Sequence, residues 1–153
     1  MKLPIALVLV LAALLSTSRL LAAERLDQLR ARAEKGDASA QADLGIKCAT
    51  GEGVAIDPAE AVKWFRKAAE QGVAGAQNNL GVADENGVGV LKDEIEALAW
   101  FNISAIEGVG GALKNRDTLE RKLGVAASLV AQKRSKEICK EIEANKTAKA
   151  ASR

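Results

Sequence analysis

The chain has no histidine and no tyrosine, and among 153 residues it has only two cysteines, two prolines, two tryptophans and two phenylalanines. The missing histidine removes the commonest general base and the commonest metal ligand together. Two cysteines without a C-x-x-C motif cannot build a thiolate metal site on their own. No S-x-x-K pairing and no G-x-S-x-G elbow occurs, so the familiar signatures of an activated serine are absent too. Catalysis of any kind would have to rest on Asp, Glu, Lys or Ser. No cofactor, metal or catalytic residue is expected.

What the chain does have is a repeat. Ala40–Gly75 and Ala76–Gly111 are one 36-residue unit written twice, with sixteen identities that include Leu44/Leu80, Gly45/Gly81, Trp64/Trp100 and Phe65/Phe101. A fixed period in the thirties marks stacked units that cannot bury their apolar faces alone. Each unit reads as two helices joined by a turn. In the first helix Ala40, Leu44 and Cys48 share a face, and the glycine beside Leu44 recurs at Gly81. An interior helical glycine costs about 1 kcal/mol against alanine, so its recurrence implies close helix approach. The turns are Gly51-Glu-Gly-Val and Gly87-Val-Gly-Val; with no Lys-Ser/Thr after them and no strand before, they are not phosphate loops. The second helices open on Asp57-Pro-Ala-Glu60 and Asp93-Glu-Ile-Glu96, which have the form of capping boxes. Every aromatic side chain falls in these second helices, at matching positions, as repeat core.

The pattern A-x-x-x-L-G, G-x-G-V, D-x-x-E-A, W-F and A-x-x-G resembles the Sel-one-like repeat (SLR), a relative of the tetratricopeptide repeat. The resemblance covers Ala40–Gly111 in full and extends weakly back through residues 33–40. It implies an all-α fold: a short right-handed superhelical solenoid of helix-turn-helix repeats, closed by a long C-terminal helix. The family usually places tyrosine where Cys48 and Asp84 stand, so the inter-helix contact there is smaller, and at Asp84 polar.

Around the repeats the chain divides further. Residues 1–23 read as a signal peptide: Lys2 supplies the positive end, and Leu3–Leu15 is an apolar run short for a bilayer span. Cleavage after Ser18 fits the small-x-small rule better than cleavage after Ala23. In a bacterium the destination is periplasmic or secreted. The alternative is an uncleaved anchor in the inner membrane, since apolar character resumes at Leu20-Leu21. Residues 24–39 form an N-terminal capping half repeat, with Leu26, Leu29 and Ala33 along one helix face. Residues 112–153 start a third unit without its G-x-G turn and end in a polar helix, where Val130, Ala131, Ile138 and Ile142 are spaced to lie over the last repeat.

Charge is sorted along the chain. Residues 24–111 carry nine bases and fifteen acids, whereas residues 112–153 carry eleven bases and five acids. The basic end is either solvated capping surface or a weak contact for an acidic partner or a membrane surface. Nucleic acid is not expected, because no aromatics interleave with the bases and the charges of the two parts cancel.

The resemblance implies a non-enzymatic adaptor that holds a protein or peptide on the concave face of the array, and the signal-peptide reading makes it an exported one. The competing class is an envelope enzyme acting on cell-wall or β-lactam-type compounds. A third possibility is an inhibitor or assembly subunit. Cysteine-rich secreted relatives are linked to β-lactams, but their regular cysteine pair per repeat is absent here. By the same resemblance the concave wall comes from the first helices, at Ile46, Thr50, Asn78, Glu85, Asn86, Lys114 and Arg121. That set suits an extended peptide held at its backbone by Asn78 and Asn86, with a carboxylate on Lys114 or Arg121. Cys48 and Cys139 are left as two buried thiols or one disulfide.

Overall fold

The computed structural model describes residues 21–151, in which every element of regular structure is a helix. The expected signal segment lies outside the described residues, apart from residues 21–23. A first helix, α1, occupies residues 21–34. It is followed by α2 (Ala38–Thr50), α3 (Pro58–Ala69), α4 (Ala74–Asn86), α5 (Glu94–Ile106), α6 (Gly110–Leu123) and α7 (Val125–Ala151). The first helices α2, α4 and α6 therefore start at one 36-residue spacing, and α3 and α5 keep the same spacing.

Local chemistry sets these boundaries. Asp57 caps α3 by accepting from the Glu60 N–H at 2.9 Å, with Pro58 in the first turn, and Asp93 caps α5 from Ile95 and Glu96. The reciprocal half of the expected capping boxes does not form. The Asp57 and Asp93 N–H groups donate instead to the Cys48 and Asp84 carbonyls, at 2.9 and 2.8 Å. The glutamates are thereby released, Glu60 to Lys63 and Glu96 to Arg134. Gly51 and Gly87 end α2 and α4 in the left-handed region, which a glycine enters without a Cβ penalty.

Within a repeat the two helices meet at a glycine. A Cβ added at Gly45 would stand 2.6 Å from the Phe65 ring, and one at Gly81 would stand 2.7 Å from Phe101. The recurring glycines thus mark the close approach their positions imply. The main core joins Ala33, Leu44, Trp64, Phe65, Leu80 and Trp100 with Ile138 and Ile142 of α7. A smaller cluster of Ala97, Leu98, Phe101, Leu119 and Ala131 ties α5 to α6 and α7.

The last helix is not the second half of a third repeat. It packs mainly on α5 and only lightly on α6, and Lys149 near its end donates to Gln71 at 2.8 Å. It is a strap across the second-helix layer. Its inward stripe is Ala131, Ile138 and Ile142; Val130, expected to face inward, is 56% exposed. Residue 130 sits one helical step, about 100°, off the stripe begun by residue 131. Cys48 and Cys139 are both free thiols, the first buried and the second half-buried.

Candidate functional site

Between the first helices α2 and α4 lies an open groove of about 390 Å³, with α3 as its floor. Its walls are Ile46, Ala49 and Thr50 on one side and Asn79, Val82, Ala83 and Asn86 on the other. Ala61, Val62 and Phe65 line the bottom. Ile46 and Val82 occupy the same register in consecutive repeats, and both stay exposed, at 43% and 38%. The rim hydroxyl and amide are turned inward on their own helices: Thr50 Oγ1 donates to the Ile46 carbonyl at 2.9 Å and Asn86 Nδ2 to the Val82 carbonyl at 2.8 Å. With those donors engaged, the groove presents a largely apolar surface, with Asn79 and the carbonyl end of the Asn86 amide left to bond a ligand.

The expected site residues divide accordingly. Ile46, Thr50 and Asn86 come together in the groove. Asn78 is engaged one helix further on, where its Oδ1 accepts from Asn115 Nδ2 at 3.1 Å. Glu85 is half-buried on α4, facing the charge of Lys122. Lys114 is exposed on α6, away from the groove lining. Arg121 donates to the Asp117 carbonyl at 3.0 Å and lines a separate hollow with Val125 and Leu129. Asn79, Val82 and Phe65 were not among the expected residues. Val82 was readable as the repeat partner of Ile46. Asn79 differs from Asn78 by one residue, and one residue turns a side chain by about 100°.

The groove is local because both neighbouring intervals are differently filled. Toward the N-terminus α2 is preceded, among the described residues, by α1, which stands in the register of a second helix, and the hollow between the two is lined by Arg25, Arg32, Asp43, Lys47 and Glu52. Toward the C-terminus the interval between α4 and α6 is bridged by the Asn115–Asn78 bond and by Lys122, which reaches Glu94 at 2.6 Å. Lys122 and Lys92 together hold the Glu94 carboxyl below its ordinary pKa. Part of the sorted charge is likewise satisfied within the chain. The Arg134 guanidinium grips both oxygens of Glu96, at 2.8 and 3.2 Å, and so fastens the basic α7 to the acidic α5.

Among the described residues no cluster of His, Cys, Asp or Glu could hold a metal, and no helix is long and apolar enough to cross a membrane. The Sel1 repeat model matches residues 38–73 and 74–109, the spans set out by the starts of α2, α4 and α6. The chain carries two Sel1 repeats. It is similar to a protective antigen present in uropathogenic Escherichia coli strains, whose crystal structure displays an SLR fold, at 32% identity and a TM-score of 0.73 over 83% of this chain. It is also similar to a Sel1 repeat protein from Oxalobacter formigenes, at 36% identity and a TM-score of 0.59 over 60% of this chain. The chain spans about a quarter of the length of each, 27% and 26%. No curated protein matches it. The fold is thus a short right-handed superhelical solenoid, in a family whose repeats serve generally as non-enzymatic scaffolds for protein–protein interaction.

Proposed function

We propose that the chain is an exported adaptor that binds a protein partner by seating an apolar peptide segment in the α2–α4 groove. The observation that carries this reading is the pair Ile46 and Val82, exposed at equivalent positions of consecutive repeats above an apolar floor. Exposed aliphatic side chains flanking a concavity supply binding energy by losing contact with water, and the groove's lining leaves the amides of Asn79 and Asn86 to fix orientation. Export through residues 1–23 belongs to the same proposal and would place the partner in the periplasm or outside the cell.

Ile46→Asp with Val82→Asp should abolish capture of the envelope protein that the wild-type chain retains, with the thermal midpoint held close to wild type. A photo-crosslinking residue at position 82 should label that same protein. Asn78→Ala with Arg121→Ala, which alters residues engaged outside the groove, is the paired control. If the control variant loses the partner and the groove variant keeps it, the binding face is the α6 side and the groove assignment fails.

A further inference from the structure

A second hollow, of about 550 Å³, opens where α5, α6 and α7 meet, and it shares no lining residue with the α2–α4 groove. Its lining brings together Asn102, Ile103 and Ile106 from α5, Arg116 from α6, and Lys136 and Lys140 from α7. Three of these mark a change between the repeats. Asn102, Ile103 and Ile106 stand where the first repeat has Arg66, Lys67 and Glu70. In the first repeat Lys67 covers the Trp64 ring, 4.1 Å from its centroid. In the second, Ile103 is buried and Ile106 is left 81% exposed, so a charged surface has become an apolar one.

The two lysines above it are unspent. Lys136 and Lys140 lie one turn apart on α7, and among the described residues neither is ion-paired, in contrast to Arg134 with its Glu96 and Glu141 contacts. Like charges at that spacing repel, which a bridging anion relieves. Arg116 adds a third cation, already leaning on Asp117 at 2.7 Å, and Glu143 is the carboxylate of the lining. Asn102 Nδ2 at the edge of the hollow is buried with no hydrogen-bond partner. An isoleucine pair beside two unpaired lysines and an unused amide donor is complementary to a chain that alternates carboxylates with aliphatic side chains. We propose that this hollow binds an acidic, amphipathic peptide segment of a partner protein, carboxylates on Lys136 and Lys140 and an aliphatic side chain on Ile103 and Ile106. A concavity built from three helices suits a peptide better than a flat bilayer surface, on which protruding cations do the work.

The test uses the full chain and a short synthetic peptide alternating glutamate and leucine, with fluorescence anisotropy as readout. Lys136→Ala with Lys140→Ala should weaken binding about tenfold, as should Ile106→Asp, at an unchanged thermal midpoint. Lys133→Ala, outside the lining, should leave binding intact. The same peptide with glutamine for glutamate should not bind, and neither should vesicles of phosphatidylcholine with phosphatidylserine. Equal losses from the Lys133 variant would reduce the effect to net charge. Binding to the anionic vesicles, sensitive to the same lysines but without peptide binding, would make this a membrane-contacting surface. Either result overturns the proposal.

Discussion

In the first repeat Ala42, Cys48, Pro58 and Gln71 stand where the second has Asn78, Asp84, Glu94 and Glu107. Two of these replacements, Asn78 and Glu94, separate an open interval from a closed one. Asn78 of α4 binds Asn115 of α6, and Glu94 at the start of α5 binds Lys122 of α6, whereas Ala42 and Pro58 offer no such side chains and the α2–α4 groove stays open. The shared positions do a different job. Gly45 and Gly81 let a phenyl ring reach the backbone, and Asp57 and Asp93 cap a helix. Identity between the repeats records the geometry of stacking, and difference records which surfaces are left for a partner.

The comparison can be broken most sharply at the turns. Gly53 and Gly89 are repeat partners with φ of 76° and 75°, so either pays the left-handed penalty on becoming alanine, about 1–2 kcal/mol. A Cβ at Gly53 meets nothing within 4 Å, whereas one at Gly89 overlaps the Pro58 carbonyl and the Ala59 nitrogen. Gly89→Ala should therefore cost at least about 3 kcal/mol by urea denaturation, as overpacking adds to the backbone term. Equal midpoints for the two variants would mean that the second turn does not lean on α3.

The tryptophans come next. Trp64 and Trp100 are 9% and 2% exposed, and truncation of each to alanine should cost about 3–5 kcal/mol, Trp100 the more. Trp64 keeps a lysine over its outer face, which partly covers the cavity left behind. A larger loss at Trp64 would reverse the ranking of the two positions.

Most of this scaffold was legible beforehand, because stacking demands are local and recur. Period, caps, turn glycines and aromatic positions each follow from a few neighbouring residues. The groove was legible only in part. Ile46, Thr50 and Asn86 were found from their helix, but whether Asn78 is free depends on Asn115, 37 residues away. The role of α7 was also hidden. Its short Gly124 link gave no sign that it would cross to α5 rather than pair with α6, and the Arg134–Glu96 grip that fastens it is a long-range contact between two residues unremarkable in isolation.

Asp84 sharpens the comparison through pH. Burial, with Glu96 and Asp93 nearby and only partial relief from Arg66, pushes its pKa up to about 6. The folded chain then holds that proton more tightly than the unfolded one. The stabilisation is complete below the ordinary carboxylate pKa and is lost as the pH rises through about 6, at a cost of up to about 3 kcal/mol. Thermal midpoints measured on both sides of that window should fall with rising pH in the wild type and stay level for Asp84→Asn. Cys48, at the same place in the first repeat, is buried and neutral, its thiol pushed upward by burial, so Cys48→Ser should leave that slope unchanged. A wild-type midpoint that does not fall would mean that Asp84 reaches water.

The smallest effect asks whether the second repeat can be given a contact it lacks. In the first repeat Gln41 donates to the Ala33 carbonyl at 3.0 Å and accepts from Gln71 Nε2 at 2.7 Å, which ties consecutive repeats through a satisfied buried amide. Gln77 repeats the donation, to the Ala69 carbonyl at 3.3 Å, but its buried Oε1 has no partner. The reason is one residue: Glu107 replaces Gln71, and an ionised carboxylate has no hydrogen to give. Glu107→Gln restores the donor at the matching position and should stabilise the fold by about 0.5–1.5 kcal/mol. Removing the acid alone does not satisfy Gln77, so Glu107→Ala should show no such gain. If alanine stabilises as much as glutamine, the relief is electrostatic and the amide clasp contributes nothing. If glutamine alone stabilises, the two repeats differ in this interface by a single missing proton donor.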